Sequence, residues 1–194
     1  MILVIDCGTE LQAKVQHTVA VNDIVRILQK LNAEFEIVPL NKLPKVEIEF
    51  YEKVIISGSK LFLTEMGTVE FLESFTWIKK FRGSIFGICF GHQVLGMVHG
   101  ARISRFDKKI EGKSGVAFLR PNDPLFHDLG RWGKFDKNHE EYINLPKGFI
   151  QLAASQQCPM EAMRHREKPF YGVQFHPERS GPQGEKLIEN FLKI

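Results

Sequence analysis

A cysteine flanked by glycines is the residue of this chain best suited to nucleophilic chemistry. Residues 87–91 read Gly-Ile-Cys-Phe-Gly, with small residues two positions to either side of the cysteine, as a sharp strand-to-helix turn requires. Such a turn places Cys89 at a helix N-terminus, where the dipole and the free amides favour the thiolate. The pattern predicts Cys89 as a nucleophile, and the alternative is a buried structural cysteine. Cys7 and Cys158 lack this setting and are interpreted as passive free cysteines.

A histidine and a glutamate, separated by a single residue, follow an apolar segment near the C-terminus. His176 and Glu178 project to the same side of an extended chain. Glu178 can therefore accept a hydrogen bond from one ring nitrogen and leave the other facing a thiol. Alone, the pair is typical of a capping histidine and a solvated glutamate. Together with Cys89 it predicts a Cys-His-Glu triad.

Two backbone segments are candidates for stabilising an oxyanion. The amide of Phe90 directly follows Cys89, and at an elbow it points to where an oxyanion forms. The turn Ser57-Gly58-Ser59 follows an apolar segment, and its glycine can expose the second amide donor. An ordinary turn is the alternative interpretation of that segment.

The elements that must position these residues alternate between strands and helices. Four apolar segments predict strands at 2–5, 34–38, 53–56 and 84–88, and helical spacing predicts helices at 19–31, 69–81 and 91–98. The second half is less regular, with strand candidates at 115–119, 149–153, 160–164 and 170–175 and a closing helix at 186–192. The order predicts an α/β fold with an open, mostly parallel twisted sheet flanked by helices. The candidate site residues follow predicted strands, at the edge where such sheets build sites.

Composition excludes several classes of protein. The chain has 194 residues, which suits one domain over residues 1–194, and a net charge of +3 without a dense basic block gives no indication of nucleic-acid binding. We expect no membrane partner, because no apolar stretch approaches the length of a span and the N-terminus does not read as a signal peptide. Three cysteines, an odd number, indicate the reducing cytoplasm.

The histidines outside the predicted triad show no spacing typical of a metal site. His92 and His99 lie seven residues apart around the predicted elbow helix, and His92 is interpreted as a packing or hydrogen-bonding residue. We expect no metal ion and no cofactor.

At these motifs the chain resembles the class I, triad-type glutamine amidotransferases. Residues 87–93 are similar to the nucleophile motif of the family, and residues 171–178, Tyr-Gly-Val-Gln-Phe-His-Pro-Glu, are similar to its His/Glu motif. The resemblance covers essentially the whole chain. It implies a flavodoxin-like sheet, hydrolysis of glutamine to glutamate and ammonia, and delivery of ammonia to a partner synthetase. It assigns Cys89 as nucleophile, His176 as base and Glu178 as the residue that orients the base.

The resemblance also implies which residues bind glutamine, namely Gln93, the Gly58 backbone and His139. Residues 138–141, Asn-His-Glu-Glu, stand where the family has a Ser-His-Gly-Asp-like loop, and they are interpreted as a flexible polar loop. Ser59 stands where the family usually has a second glycine. Both features predict that the isolated chain is a weak glutaminase that a partner activates.

Within the family, segments 157–165 and 145–149 are similar to the amidotransferase of GMP synthases. The expected form is a separate subunit in purine biosynthesis, because the chain contains no ATP-pyrophosphatase half, and the expected partner is the ATP-pyrophosphatase subunit of GMP synthase. The alternatives are a stand-alone γ-glutamyl hydrolase, a glutaminase subunit of the anthranilate-synthase type, and a non-catalytic regulatory module on the same fold.

Overall fold

The structure is a computed structural model that describes residues 1–8, 19–66 and 68–194. Four α-helices lie within these residues: α1 (Val19–Lys30), α2 (Thr68–Glu73), α3 (Phe90–Val98) and α4 (Pro182–Lys193). The strands of the same residues are β1 (Ile2–Asp6), β2 (Phe35–Pro39), β3 (Lys53–Ile56), β4 (Ser84–Ile88), β5 (Ile103–Phe118), β6 (Trp132–Ile143), β7 (Phe149–Ala154), β8 (Ala162–His165) and β9 (Phe170–Val173). They form one sheet in the order β2-β1-β3-β4-β9-β8-β7-β5-β6.

The first five strands of that order are parallel and confirm the α/β fold predicted from the sequence. Their order, β2-β1-β3-β4-β9, is that of a flavodoxin-like sheet. The residues of β1 alternate between two apolar cores: Ile2 and Val4 pack with α1 and α4, whereas Leu3 and Ile5 pack with α3. Burial on both faces explains why these strands are apolar throughout.

The other four strands pair antiparallel, so the sheet as a whole is mixed. The strand predicted at 115–119 is the end of the 16-residue β5, which forms a long ladder with β6. Residues 138–141 lie inside β6, and their interpretation as a flexible loop was wrong. Strand β6 was not predicted because its inward-facing side chains include Lys137, His139 and Glu141.

The helix predicted at 69–81 is interrupted. The helix α2 ends at Glu73, and a separate 3-10 turn covers Thr76–Lys79. The Thr76 hydroxyl donates a 2.9 Å hydrogen bond to the carbonyl of Glu73, a local bond that competes with continuation of the helix. In the described ranges, no helix combines the length and the apolar character needed to cross a membrane.

Candidate active site

Cys89 occupies a strained turn between β4 and α3. Its backbone angles are φ 51° and ψ −102°, and a positive φ is unusual for a residue with a side chain. The two glycines make the turn possible: a Cβ on Gly87 would lie 2.4 Å from the carbonyl oxygen of Gly91, and a Cβ on Gly91 would lie 2.2 Å from that of Ile56. The geometry is that of a nucleophile elbow, with Phe90 as the first residue of α3.

The Cys89 thiol is 4% exposed and is surrounded by polar groups. The side-chain amide nitrogen of Gln174 lies 3.6 Å from its sulfur, and the carbonyl oxygen of Asn138 lies 4.0 Å away. The backbone amide of Cys89 donates a 2.8 Å hydrogen bond to the carbonyl of Val173. The ends of β4 and β9 therefore meet at the cysteine, where β6 covers them.

His176 and Glu178 form a buried pair beside Cys89. The distance from His176 Nδ1 to Glu178 Oε1 is 2.6 Å, and the residues are 5% and 1% exposed. Two bonds fix the backbone of His176: its amide donates to the carbonyl of Asp136 at 2.8 Å, and its carbonyl accepts from the Ser180 hydroxyl at 2.6 Å. The imidazole is thus held between the carboxylate and the thiol.

The electrostatic environment of His176 favours the imidazolium. Burial alone lowers the pKa of a histidine. Here the negative charges of Glu178 and of the Cys89 thiolate, with hydrogen bonds to both groups, outweigh burial and raise the pKa of His176 to about 10. At neutral pH His176 is therefore a proton donor.

The turn after β3 lies against both reactive side chains. A Cβ on Gly58 would lie 3.0 Å from His176 Cε1 and 3.7 Å from Cys89 Cβ. Ser59 is half-buried, and its hydroxyl accepts a 3.1 Å hydrogen bond from the amide of Leu61 within the turn. The two candidate oxyanion segments, at Gly58–Ser59 and at Phe90, therefore flank the same thiol.

Gln93 and His139 converge on one carbonyl of β6. The backbone oxygen of Glu141 accepts from Gln93 Nε2 at 2.9 Å and lies 3.0 Å from His139 Nδ1. Because that oxygen only accepts, His139 carries its proton on Nδ1. Burial lowers the pKa of His139 to about 4, so its Nε2 is an unprotonated acceptor. This nitrogen is buried and has no hydrogen-bond partner among the described residues.

The carboxylate of Glu141 makes contacts beside the candidate site that the sequence did not predict. Its carboxylate, in a residue 2% exposed, accepts hydrogen bonds from the amides of Leu63 and Thr64 at 2.8 and 2.9 Å and from the Thr64 hydroxyl at 2.5 Å. These bonds tie the segment after the Gly58 turn to β6. No periodic signal indicated the contact, because it joins positions 77 and 78 residues apart.

A buried ion pair lies near the thiol and was also missed. Lys137 Nζ lies 2.5 Å from Glu161 Oε1, and both side chains are 0% exposed. Ser155 connects them, because its hydroxyl contacts the ammonium at 2.9 Å and the carboxylate at 2.6 Å. The backbone carbonyl of Glu161 accepts a 2.8 Å hydrogen bond from the amide of Gln174, the residue that contacts Cys89.

His92 belongs to the elbow helix α3 and is fully buried, which agrees with its interpretation as a packing or hydrogen-bonding residue. Burial lowers its pKa to about 3, so the ring is neutral. Over the described part of the chain, no group of three or more potential ligands could hold a metal ion.

Comparison with known proteins agrees with this geometry. The family model described as "Glutamine amidotransferase class-I" matches residues 5–194. The chain is 34% identical to a subunit of the glutamine-hydrolysing GMP synthase of Pyrococcus abyssi, over 90% of this chain and 92% of the relative. It is 35% identical to the subunit of the same name from Methanosarcina barkeri, over 88% of each.

Solved structures reproduce the fold. A putative GMP synthase subunit from Thermoplasma acidophilum superimposes with a TM-score of 0.84 at 26% identity, over 99% of this chain and 92% of that one. A glutamine amidotransferase from Thermotoga maritima superimposes with a TM-score of 0.74 at 22% identity, over 99% and 82%. The second match supports the fold alone.

Proposed function

The chain belongs to the class I glutamine amidotransferases, and from that premise we propose that Cys89, His176 and Glu178 are its catalytic triad. The observation that carries the proposal is the buried 2.6 Å contact between His176 and Glu178 beside a cysteine at a strained elbow. Glutamine-hydrolysing amidotransferases need a nucleophile, a proton-transfer group and an orienting group in this arrangement.

In the proposed mechanism the Cys89 thiolate attacks the side-chain amide carbon of glutamine. The His176 imidazolium donates its proton to the leaving nitrogen, the carbon–nitrogen bond breaks, and ammonia departs. The γ-glutamyl thioester that remains is attacked by water, from which the neutral imidazole removes a proton. The carbon–sulfur bond then breaks and releases glutamate and the thiolate. Glu178 keeps the imidazole in register and stabilises its charged form.

The oxyanion of each tetrahedral intermediate is assigned to backbone amides. The amide of Phe90 and an amide of the Gly58–Ser59 turn are the proposed donors, because both segments flank the thiol. Loss of one such donor typically costs about 2.7–4 kcal/mol of barrier.

We assign glutamine binding to Gln93, His139 and the Gly58 backbone. His139 supports this assignment because its buried Nε2 is an unpartnered acceptor in the described residues, and a buried acceptor gains most from a donor that a substrate supplies. No cofactor takes part in the mechanism, and the three free cysteines support a cytoplasmic location.

The proposed partner is the ATP-pyrophosphatase subunit of a GMP synthase, to which the ammonia is delivered. The support is the name shared by the relatives from Pyrococcus abyssi and Methanosarcina barkeri. One ground for partner activation, a flexible loop at 138–141, is lost because these residues form part of β6. The other remains, since Ser59 lies in the turn assigned to the oxyanion.

The test measures glutamate release by the purified chain with and without that partner and its substrates. We expect about a 100-fold increase in kcat with the cognate partner, which needs about 2.7 kcal/mol of barrier lowering. Activation by a different synthetase would reassign the partner and leave the glutaminase chemistry intact. Full activity of the lone chain on γ-glutamyl peptides would support the stand-alone hydrolase instead.

A further inference from the structure

A line of three side chains and one carbonyl runs from β6 to the reactive sulfur. Gln93 Nε2 lies 2.9 Å from the carbonyl oxygen of Glu141 and 3.2 Å from Gln174 Oε1, and Gln174 Nε2 lies 3.6 Å from Cys89 Sγ. Gln93 and Gln174 are 3% and 0% exposed. Water therefore does not compete for these amides.

The carbonyl of Glu141 fixes the direction of the whole line. A carbonyl oxygen accepts only, so the end of Gln93 that contacts it must be the NH₂ group. That group then meets the oxygen of the Gln174 amide, which leaves the Gln174 NH₂ directed at the sulfur. The orientation of both amides therefore follows from one backbone acceptor.

We propose that Gln174 stabilises the Cys89 thiolate by donating a hydrogen bond to its sulfur, and that Gln93 is a positioning residue that acts through Gln174. The inference rests on the proposed role of Cys89 as nucleophile. A donor directed at the sulfur favours the thiolate over the thiol, because the charged form is the stronger acceptor. If the side-chain amide of Gln174 rotated by 180°, its oxygen would face the sulfur and would destabilise the thiolate.

The side-chain amide of Gln174 needs a second contact to hold its orientation, and Gln93 provides that contact. Gln174 immediately follows β9, and its backbone amide is already bonded to the carbonyl of Glu161 at 2.8 Å. Its side chain retains freedom about its terminal torsion, where two amide orientations are close in energy. Gln93 lies one turn into α3, which is anchored at Cys89 itself. The positioning residue and the nucleophile therefore move as one unit.

The experiment follows the rate of Cys89 alkylation by iodoacetamide against pH. The thiolate displaces iodide, so the rate reports the thiolate fraction and needs no glutaminase activity. Peptide mass spectrometry separates Cys89 from Cys7 and Cys158. His176 and Cys158 both interact electrostatically with Cys89, and every variant leaves both of them in place.

Gln174→Met keeps the size of the side chain and removes the donor. We expect the midpoint of the profile to rise by about one pH unit, with about tenfold slower alkylation below both midpoints. Gln93→Met should raise the midpoint by less, because the Gln174 amide is kept but no longer oriented. The double variant should have the same midpoint as Gln174→Met alone, since Gln93 affects the Cys89 sulfur only through Gln174.

Gln29→Met, on the exposed face of α1, is the matched control and should keep the wild-type midpoint. If Gln174→Met does not fold, Gln93→Met alone still tests the orientation. An unchanged midpoint in a folded Gln174→Met chain would overturn the role of Gln174. An equal shift from Gln93→Met in both backgrounds would overturn the relay. Failure of a glutamine-like chloroketone to label Cys89 would instead contradict the proposed function.

Discussion

Nδ1 of His176 lies 2.6 Å from Oε1 of Glu178, and neither side chain is more than 7% exposed. The pair begins three residues after the end of β9, where residues Pro177–Arg179 form a 3-10 turn. Pro177 at the start of that turn fixes the backbone between the two residues. The sequence order His-Pro-Glu therefore produces the contact locally, and the sheet only has to bring it to Cys89.

The first prediction concerns selective labelling. A chloroketone that resembles glutamine should modify Cys89 alone. Burial raises the thiol pKa of Cys7 above the usual range and that of Cys158 to about 12, so neither is a ready thiolate at neutral pH. Mass spectrometry of the labelled peptides decides the matter. Modification of Cys7 or Cys158 with Cys89 unreacted would contradict the nucleophile assignment.

The second prediction concerns Glu178→Gln, which keeps the shape and removes the charge. The pKa of His176 should fall, because burial lowers it and Glu178 is the largest opposing cause. Turnover should drop strongly, although less than for Cys89→Ser, because an orienting group assists the reaction without performing it. The imidazole resonance followed by NMR against pH, together with kcat, gives both readouts.

The His176–Glu178 pair should also affect how the free energy of unfolding depends on pH. The pKa of His176 is raised from 6.5 to about 10, so its protonation stabilises the fold fully below pH 6.5, and this contribution is lost as the pH rises through about 10. The stability difference between wild type and Glu178→Gln should narrow over that range. Glu49→Gln, at an exposed position, is the control. If the stability difference between wild type and Glu178→Gln does not change with pH, then Glu178 does not raise the pKa of His176.

The third prediction concerns Gly58→Ala. The new methyl group would lie 3.0 Å from His176 Cε1 without meeting backbone, so the fold should persist while the imidazole is displaced. We expect kcat to fall by about 100-fold or more, since small displacements of reacting groups carry such costs, with little change in the melting temperature. Gly115→Ala is the matched control, because its Cβ meets no described atom within 4 Å. Wild-type kcat in Gly58→Ala would exclude the turn from the site.

The fourth prediction concerns the buried Lys137–Glu161 pair. Lys137→Met should destabilise the chain by about 3–5 kcal/mol, because it leaves the carboxylate of Glu161 buried without its cation. The double variant Lys137→Met/Glu161→Leu should recover most of that loss, since no charge then remains buried. Urea unfolding measures both. If the double variant is less stable than Lys137→Met, then Glu161 stabilises the fold through contacts other than its ion pair with Lys137.

The parallel half of the sheet and the residues at its strand ends follow from sequence patterns. Strand β3 spans the predicted residues 53–56 unchanged, because buried parallel strands are short apolar runs bounded by turn residues. The elbow at Cys89 was likewise predictable, because its glycine spacing is a local steric requirement. Both features can be predicted because each depends only on a few residues that are neighbours in the sequence.

Strand β6 escaped prediction because its interior is polar. Lys137, His139 and Glu141 face inward in alternation, where a half-buried strand normally carries apolar residues. Two of them are satisfied by distant groups: Glu161 for the lysine, and the segment at Leu63 for the glutamate. A pattern of buried polar residues becomes interpretable only when such long-range partners are known, and these residues lie around the active site.

The most direct measurement traps the acyl-enzyme. The chain is mixed with glutamine and the proposed synthetase partner, quenched rapidly in acid and digested for mass spectrometry. We expect a γ-glutamyl thioester on the peptide that contains Cys89, and neither adduct nor glutamate release in Cys89→Ala. Glutamate release by Cys89→Ala at the wild-type rate, or an adduct on any other residue, would contradict it.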